Sequence, residues 1–330
     1  MDETSTDPRD YYQAKYQDVE DLPGCGPATA QKLGEAGFKT VQSIATASSI
    51  ELIEAGVGEA VAQKIIEAAR KSIEIRFITA EEKAKIDAEK TKISTGCTAL
   101  NNLLGGGIMT NSITEFYGEF GAGKSQICQQ LAVSVQLPVE QGGLDGGCLY
   151  LDTEQVFTAD RVRQMAEYLG LNPKKILKNI IYASAYTSEH QTMLLRNCDD
   201  VVKDHNIRLI IVDSLIAHFR SEYPGRELLA PRQQALNKHL HKLKRLCMSF
   251  NAAAVVTNQV SATPDSYAGP RGPQAVGGHI LGHAAHTRIF LRKGRNNLRI
   301  AKIVASPFLP EGEAPFRITE RGIESDEDVG

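Results

Sequence analysis

Residues 113–136 read ITEFYGEFGAGKSQICQQLAVSVQ, and this stretch decides the fold. Its first six residues form a short apolar run with β-branched and aromatic content, the composition of a buried strand. Residues 118–125, GEFGAGKS, match G-x-x-x-x-G-K-[ST] in full, and an amphipathic helix pattern follows. A strand, a glycine-rich turn and a helix in that order make a cradle for phosphate. Gly118, Gly121 and Gly123 let the backbone curl so that successive N–H groups point at phosphate oxygens, and the helix N-terminus adds its positive dipole end. Lys124 would reach the β- and γ-phosphates, and the Ser125 hydroxyl would ligate Mg²⁺. Glu119, Phe120, Ala122 and Gln126 complete this nucleotide-binding turn.

Further apolar runs lie at 148–153 (CLYLDT), 179–185 (NIIYASA), 208–214 (RLIIVDS) and 252–259 (AAAVVTNQ), with helical patterns at about 159–169, 189–204 and 231–249 between them. Strand and helix in alternation predict βαβ units and a parallel sheet covered on both faces. After residue 286 the period shifts toward two, and HTRIFLRK, LRIAKIVAS and PFRITERG read as antiparallel strands added at one edge. The large region is therefore one α/β domain with a mostly parallel sheet and a β-rich end.

Asp213 closes the run RLIIVD, the position from which a P-loop enzyme holds Mg²⁺. In an open parallel sheet the ligand crevice lies outside the carboxyl strand ends, which makes Glu154, after CLYLDT, the best placed group to activate a water. Gln259, at the end of another strand, is a candidate sensor of the γ-phosphate. Each carboxylate or amide read alone is also an ordinary strand-end group.

The chain has 330 residues, 42% of them hydrophobic and 23% charged, and a net charge of −3. That composition fits a globular protein and argues against a disordered, collagenous or disulfide-scaffold chain. The N-terminus is acidic and no apolar run approaches the roughly 18 residues of a membrane span, so the expected location is the cytoplasm, without a membrane partner. Six cysteines spaced at least twenty residues apart, with no CxxC pair, read as buried free thiols. The net charge gives no global sign of nucleic-acid binding. Locally, residues 214–250 hold seven Lys and Arg against two acids, an excess of +5. Such a cluster suits backbone neutralisation, although residues 238–245 also read as the solvated face of a helix.

Residues 1–18 and 324–330 are acidic ends expected to be disordered. Residues 19–75 form a small helical region in which Pro23-Gly24-Cys25-Gly26 and Gly56-Val57-Gly58 each place two glycines two apart between helices. That spacing exposes backbone N–H groups at a helix start, which suits a DNA phosphate, and the region resembles a tandem helix-hairpin-helix domain. A purely structural helical domain fits the same pattern. Residues 76–92 are the linker.

Taken together, GEFGAGKSQ, YLDTE with Arg161, LIIVDSL, FRSEYPGR with Arg232, VVTNQVSATPD, GGHILGHAAHTR, FLRKGR and SPFLPEGEAPFRITERGI resemble the archaeal RadA recombinases, members of the RecA-like strand-exchange family. The resemblance spans about residues 19–323 and implies a RecA-like P-loop ATPase core at 93–323. It implies a DNA-dependent ATPase with ATP and Mg²⁺, which forms helical filaments on single-stranded DNA, pairs it with duplex DNA and exchanges strands in recombination and repair. The family's pattern makes Glu154 the catalytic glutamate and places Arg161 on the adenine. It places Pro307 in a segment that caps the adenine of an adjacent protomer, while Gln259 and His283 couple the γ-phosphate to the second DNA-binding loop. Phe77 and Ala80 match the F-x-x-A polymerisation motif, so a second copy of the chain is an implied partner. The first DNA loop, about 218–231, carries Arg220, Tyr223 and Arg226, with Arg232 just beyond. The second, about 260–278, carries Arg271, Gly277 and Gly278. A nucleoid-associated protein with recombination accessory partners is implied; a mediator that binds ATP and DNA without exchanging strands is the competing reading.

The chain departs from many such relatives at Ala305, where they carry an aspartate that helps bind a monovalent cation or a basic group near the γ-phosphate. Potassium stimulation of ATP turnover is therefore expected to be weak or absent. A potassium titration of turnover checks this, and strong saturable activation contradicts it.

Overall fold

The computed structural model describes residues 16, 18–72, 79–88, 90–225, 227–260, 281–282 and 284–326. The chain divides into two compact units, one from residues 1–90 with 196–200, the other from 91–195 with 201–330.

The smaller unit is helical: α1 (Pro27–Glu35), α2 (Val41–Ala45), α3 (Ser49–Glu54), α4 (Glu59–Ser72) and, beyond undescribed residues, α5 (Ala80–Ala88) within the expected linker. Short polar caps set the starts. Thr40 Oγ1 accepts from Ser43 N–H at 3.1 Å, and Ser48 and Glu51 form a reciprocal box in which Ser48 N–H donates to the Glu51 carboxylate at 2.8 Å. In α4, Ala62, Ile65, Ile66 and Ala69 are buried, the spacing of one helix face, and they pack with Leu22, Leu33, Ile44 and Leu52. Gly24 (φ +94°) and Gly56 (φ +84°) turn the chain in a backbone region that glycine adopts without strain. Lys32 Nζ donates to the Gly56 carbonyl at 3.3 Å, and the stem of Lys64 lies beside Gly24, so each glycine turn faces a lysine from the other hairpin.

The larger unit runs β1 (Lys92–Ile93), α6 (Thr98–Leu103), β2 (Ile108–Met109), β3 (Ile113–Gly118), α7 (Lys124–Ser134), β4 (Gly147–Asp152), α8 (Ala159–Tyr168), α9 (Pro173–Lys178), β5 (Ile180–Ser184), α10 (Ser188–Arg196) and α11 (Asp199–Asp204). It continues with β6 (Ile207–Asp213), α12 (Ala217–Glu222), α13 (Leu229–Phe250), β7 (Ala253–Asn258), β8 (Thr287–Lys293), β9 (Leu298–Ala305), β10 (Glu313–Thr319) and β11 (Gly322–Glu324). Nine strands form one sheet in the order β11-β10-β9-β8-β3-β7-β6-β4-β5. Every residue of β3, β4 and β7 is buried, which explains why these strands read as unbroken apolar runs. All six cysteines are buried and none is in a disulfide.

Three expectations are corrected. HTRIFLRK does not open the antiparallel end: β8 pairs parallel with β3, and antiparallel pairing starts at β9. A long connection after β7 lets the chain cross to the far side of β3, which a short hairpin could not do. The helix expected over 189–204 is two helices, because Asn197 interrupts it and Asp199 and Asp200 favour a new helix start. The acidic end does not begin at 324. Glu324 belongs to β11, where its carboxylate accepts from the Thr319 hydroxyl, and buried Ser325 accepts from Ala99 N–H at 2.8 Å.

In α13, His239 is buried against the edge of the Phe219 ring, 5.8 Å between centroids, and burial pushes its imidazole down to about 4. The native state thus binds fewer protons than the unfolded chain between that value and the ordinary 6.5. Stability is lost as pH falls through this window, by about 2 kcal/mol between about pH 7 and about pH 5. Denaturant unfolding at the two pH values should show that difference, and His239→Gln should remove it.

Candidate nucleotide and nucleic-acid site

The carboxyl ends of β3, β4, β6 and β7 lie side by side, and the candidate residues converge there. Gly118 ends β3 so close to β8 that a Cβ on it would stand 2.1 Å from the Leu291 carbonyl oxygen. Gly123, with φ +107°, is the N-cap of α7. Between them Phe120 is 92% exposed at the tip of the turn. Lys124 Nζ donates to the carbonyls of Gly118 and Glu119, both at 2.9 Å, so the amine is held over the turn's own backbone. Burial pulls its pKa below the usual lysine value, and Asp213 and Glu154 partly offset the shift. Arg161 Nε donates to Gln126 Oε1 at 2.8 Å while its other nitrogens donate to the Thr319 and Glu320 carbonyls, which fixes the guanidinium plane beside the first turn of α7.

Asp213 is 2% exposed at the end of β6. Burial raises its pKa; hydrogen bonds from Thr257, Ser125 and Tyr150 oppose the rise. The Tyr150 hydroxyl donates to Oδ2 at 2.9 Å, and the Thr257 hydroxyl donates to Oδ1. Ser125 and Asp213 thus stand in contact as a pair of hard oxygen ligands, one from α7 and one from the end of β6. That set fits Mg²⁺, which keeps several waters and takes only one or two protein oxygens plus phosphate oxygens.

Glu154 follows β4, and its Oε1 accepts from Gln259 Nε2 at 2.9 Å. The candidate water-activating carboxylate and the candidate sensor, 105 residues apart in the chain, are directly bonded. The turn that carries Glu154 is organised by Asp152. This fully buried carboxylate accepts from the N–H groups of Glu154 (3.2 Å), Val156 (3.3 Å) and Phe157 (2.9 Å). Thr153 stitches β4 to β6, with its hydroxyl donating to the Ser214 carbonyl at 2.8 Å and accepting from Ser214 N–H at 2.9 Å. Tyr150, Asp152, Thr153 and Thr257 were not among the expected site residues. The available signal was polar side chains standing within or ending apolar strands in CLYLDT and VVTN.

A Rad51 family model matches residues 87–326, and a model of the SAM-like tandem helix-hairpin-helix matches residues 16–71. The chain is 51% identical over 312 residues to a DNA repair and recombination protein RadA of Aeropyrum pernix, covering 94% of this chain and 98% of that one. It is 50% identical over 315 residues to a protein of the same name from Ignicoccus hospitalis, covering 94% and 96%. The chain belongs to the Rad51 family. Within it, the chain is similar to the archaeal RadA recombinases along nearly its whole length.

Of the remaining expected positions on this Rad51-family core, Arg220 is exposed near the end of α12, Tyr223 is half-buried at its C-cap, and Arg232 is half-buried in the first turn of α13. All three follow the carboxyl end of β6, the end of the parallel strands at which the phosphate turn also lies. Pro307 is exposed just after β9, and Ala80 is the exposed first residue of α5. Phe77, Arg226, Arg271, Gly277, Gly278 and His283 lie outside the described residues.

Asp152→Asn keeps the shape and replaces one acceptor oxygen by a donor, leaving buried N–H groups without their partner. It should destabilise the protein by about 1–3 kcal/mol and lower ATP turnover more than nucleotide affinity, as read by denaturant unfolding, steady-state turnover and fluorescent-nucleotide titration.

Proposed function

We propose that this chain is a DNA-dependent ATPase that assembles into helical filaments on single-stranded DNA and catalyses homologous pairing and strand exchange in recombination and repair. The observation that carries the reading is the hydrogen bond between Glu154 and Gln259 beside the Ser125–Asp213 pair, at the mouth of an intact phosphate turn. ATP is the substrate. The N–H groups of residues 119–124 and the Lys124 amine would bind its phosphates, exchanging the carbonyl partners of Lys124 for phosphate oxygens. Mg²⁺ held by Ser125 and Asp213 would neutralise charge on the phosphates. Glu154, placed by the turn that Asp152 orders, orients the attacking water and takes its proton, and Gln259 senses whether the γ-phosphate is present. Gly118 and Arg161 shape the pocket, with Arg161 facing the adenine.

DNA contact is supported at two places. In the helical unit, two exposed glycine turns each stand beside a lysine, an arrangement suited to phosphates of either strand. In the core, Arg220, Arg232 and Tyr223 supply charge and one aromatic ring without a base-specific code, which suits sequence-tolerant binding read out by base pairing. We further propose that Phe77 and Ala80 engage a second copy of the chain, that Pro307 caps the neighbour's adenine, and that recombination accessory proteins and the nucleoid are the cellular setting. Among the described residues no helix is long and apolar enough to cross a membrane.

The deciding experiment is strand exchange between a labelled single strand and a homologous duplex, with and without ATP. Product is expected only with ATP, and Lys124→Ala should abolish both turnover and exchange. DNA-stimulated turnover without exchange would instead identify a mediator.

A further inference from the structure

Glu115 is a glutamate in the middle of β3, fully buried and flanked on the strand by Thr114 and Phe116. A carboxylate in such a place is costly unless each oxygen finds a donor. Both do, and the donors come from the two ends of one connection. Asn258 Nδ2, the last residue of β7, donates to Oε1 at 2.9 Å. Arg288 Nε, the second residue of β8, donates to Oε2 at 2.6 Å, with its guanidinium 5.3 Å from the centre of the Tyr117 ring. Strand β3 lies between β7 and β8, so this one carboxylate holds the strand that enters the 259–286 connection and the strand that leaves it. The contacts continue to the site. Asn258 Oδ1 accepts from Gln259 N–H at 2.7 Å, and Gln259 Nε2 donates to Glu154.

We propose that Glu115 is a positioning residue, which acts through Asn258 to set Gln259 against Glu154 and so links the geometry of the second loop's two ends to ATP turnover. This rests on reading the chain as a DNA-stimulated ATPase. The polarity of the chain of bonds is the physical basis. Glu115 accepts on both oxygens, so the Asn258 amide must present its NH₂ group to Glu115 and its oxygen to Gln259 N–H. In the opposite orientation Asn258 would set a donor against the donor of Gln259, and Gln259 would leave its position. Glu115 and Asn258 themselves are not among the groups assigned to nucleotide or DNA, so they act only through Gln259.

The test is Glu115→Gln. Its amide keeps an oxygen for Arg288 and turns an NH₂ group toward Asn258, which forces Asn258 to flip. The expected result is a loss of DNA stimulation of turnover on the order of tenfold, the scale set by misplaced groups near a reaction centre. DNA-free turnover and fluorescent-nucleotide affinity should stay unchanged, because Glu154 remains on the turn ordered by Asp152. The double variant Glu115→Gln with Asn258→Asp restores the pattern with reversed polarity, since the introduced amide can donate to the introduced carboxylate, whose other oxygen can accept from Gln259 N–H. It should recover the stimulation.

Full stimulation in folded Glu115→Gln, or an equal loss of DNA-free turnover, overturns the proposal, and so does a folded double variant that fails to recover. Should Glu115→Gln not fold, Asn258→Ala, which removes both the bond to Glu115 and the acceptor for Gln259 N–H, carries the same expectation, and full stimulation there overturns the proposal. Absence of DNA stimulation in the unaltered protein would refute the ATPase reading itself, and this inference with it.

Discussion

The site depends on one buried carboxylate. Asp213 sits where three parallel strands end together, and burial alone would drive it toward the neutral acid. Hydroxyl donors from Tyr150 on β4, Thr257 on β7 and Ser125 on α7 oppose that shift. The donors come from three different elements, so the carboxylate finds all three only while β4, β6, β7 and α7 are in register. The hydrogen-bonded carboxyl group beside the phosphate turn is thus a property of the assembled sheet.

The same logic repeats around it. Asp152 gathers three N–H groups into the turn that carries Glu154, Thr153 ties that turn to the end of β6, and Glu115 ties β7 and β8 to the strand that leads into the phosphate turn. Each is a polar group inside an apolar layer, where an unmade hydrogen bond costs more than a made one contributes. The arrangement therefore has few tolerable alternatives, which is what a site that must place a carboxylate and an amide within hydrogen-bonding distance requires.

Much of the plan was legible along the chain, for identifiable reasons. β3, β4, β6 and β7 are buried on both faces, so they stand out as continuous apolar runs, and the residues that end them fall where ligands collect. The phosphate turn is local, because eight consecutive residues specify it. The direction of β8 was not legible because its burial alternates, and alternation does not reveal whether a partner runs parallel or antiparallel. The end of the folded chain was hidden because Glu324 and Ser325 look like solvent-facing residues until Thr319 and Ala99 supply their partners. Tyr150, Asp152 and Glu115 escape notice because a single polar residue in an apolar run has no periodicity to mark it.

By itself the sequence determined what short-range chemistry can determine: the strand, turn and helix of the phosphate cradle, the carboxylates that end strands, the helical pairs joined by glycine turns, and the motifs that mark the family. Tertiary structure decided which of these meet. Glu154 and Gln259 are bonded only because the strand order sets β4, β6 and β7 side by side. Glu115 holds Asn258 and Arg288 only because the chain crosses from one side of β3 to the other between them. Such meetings depend on which strands become neighbours, a choice made by burying the whole sheet at once and therefore written in no single segment.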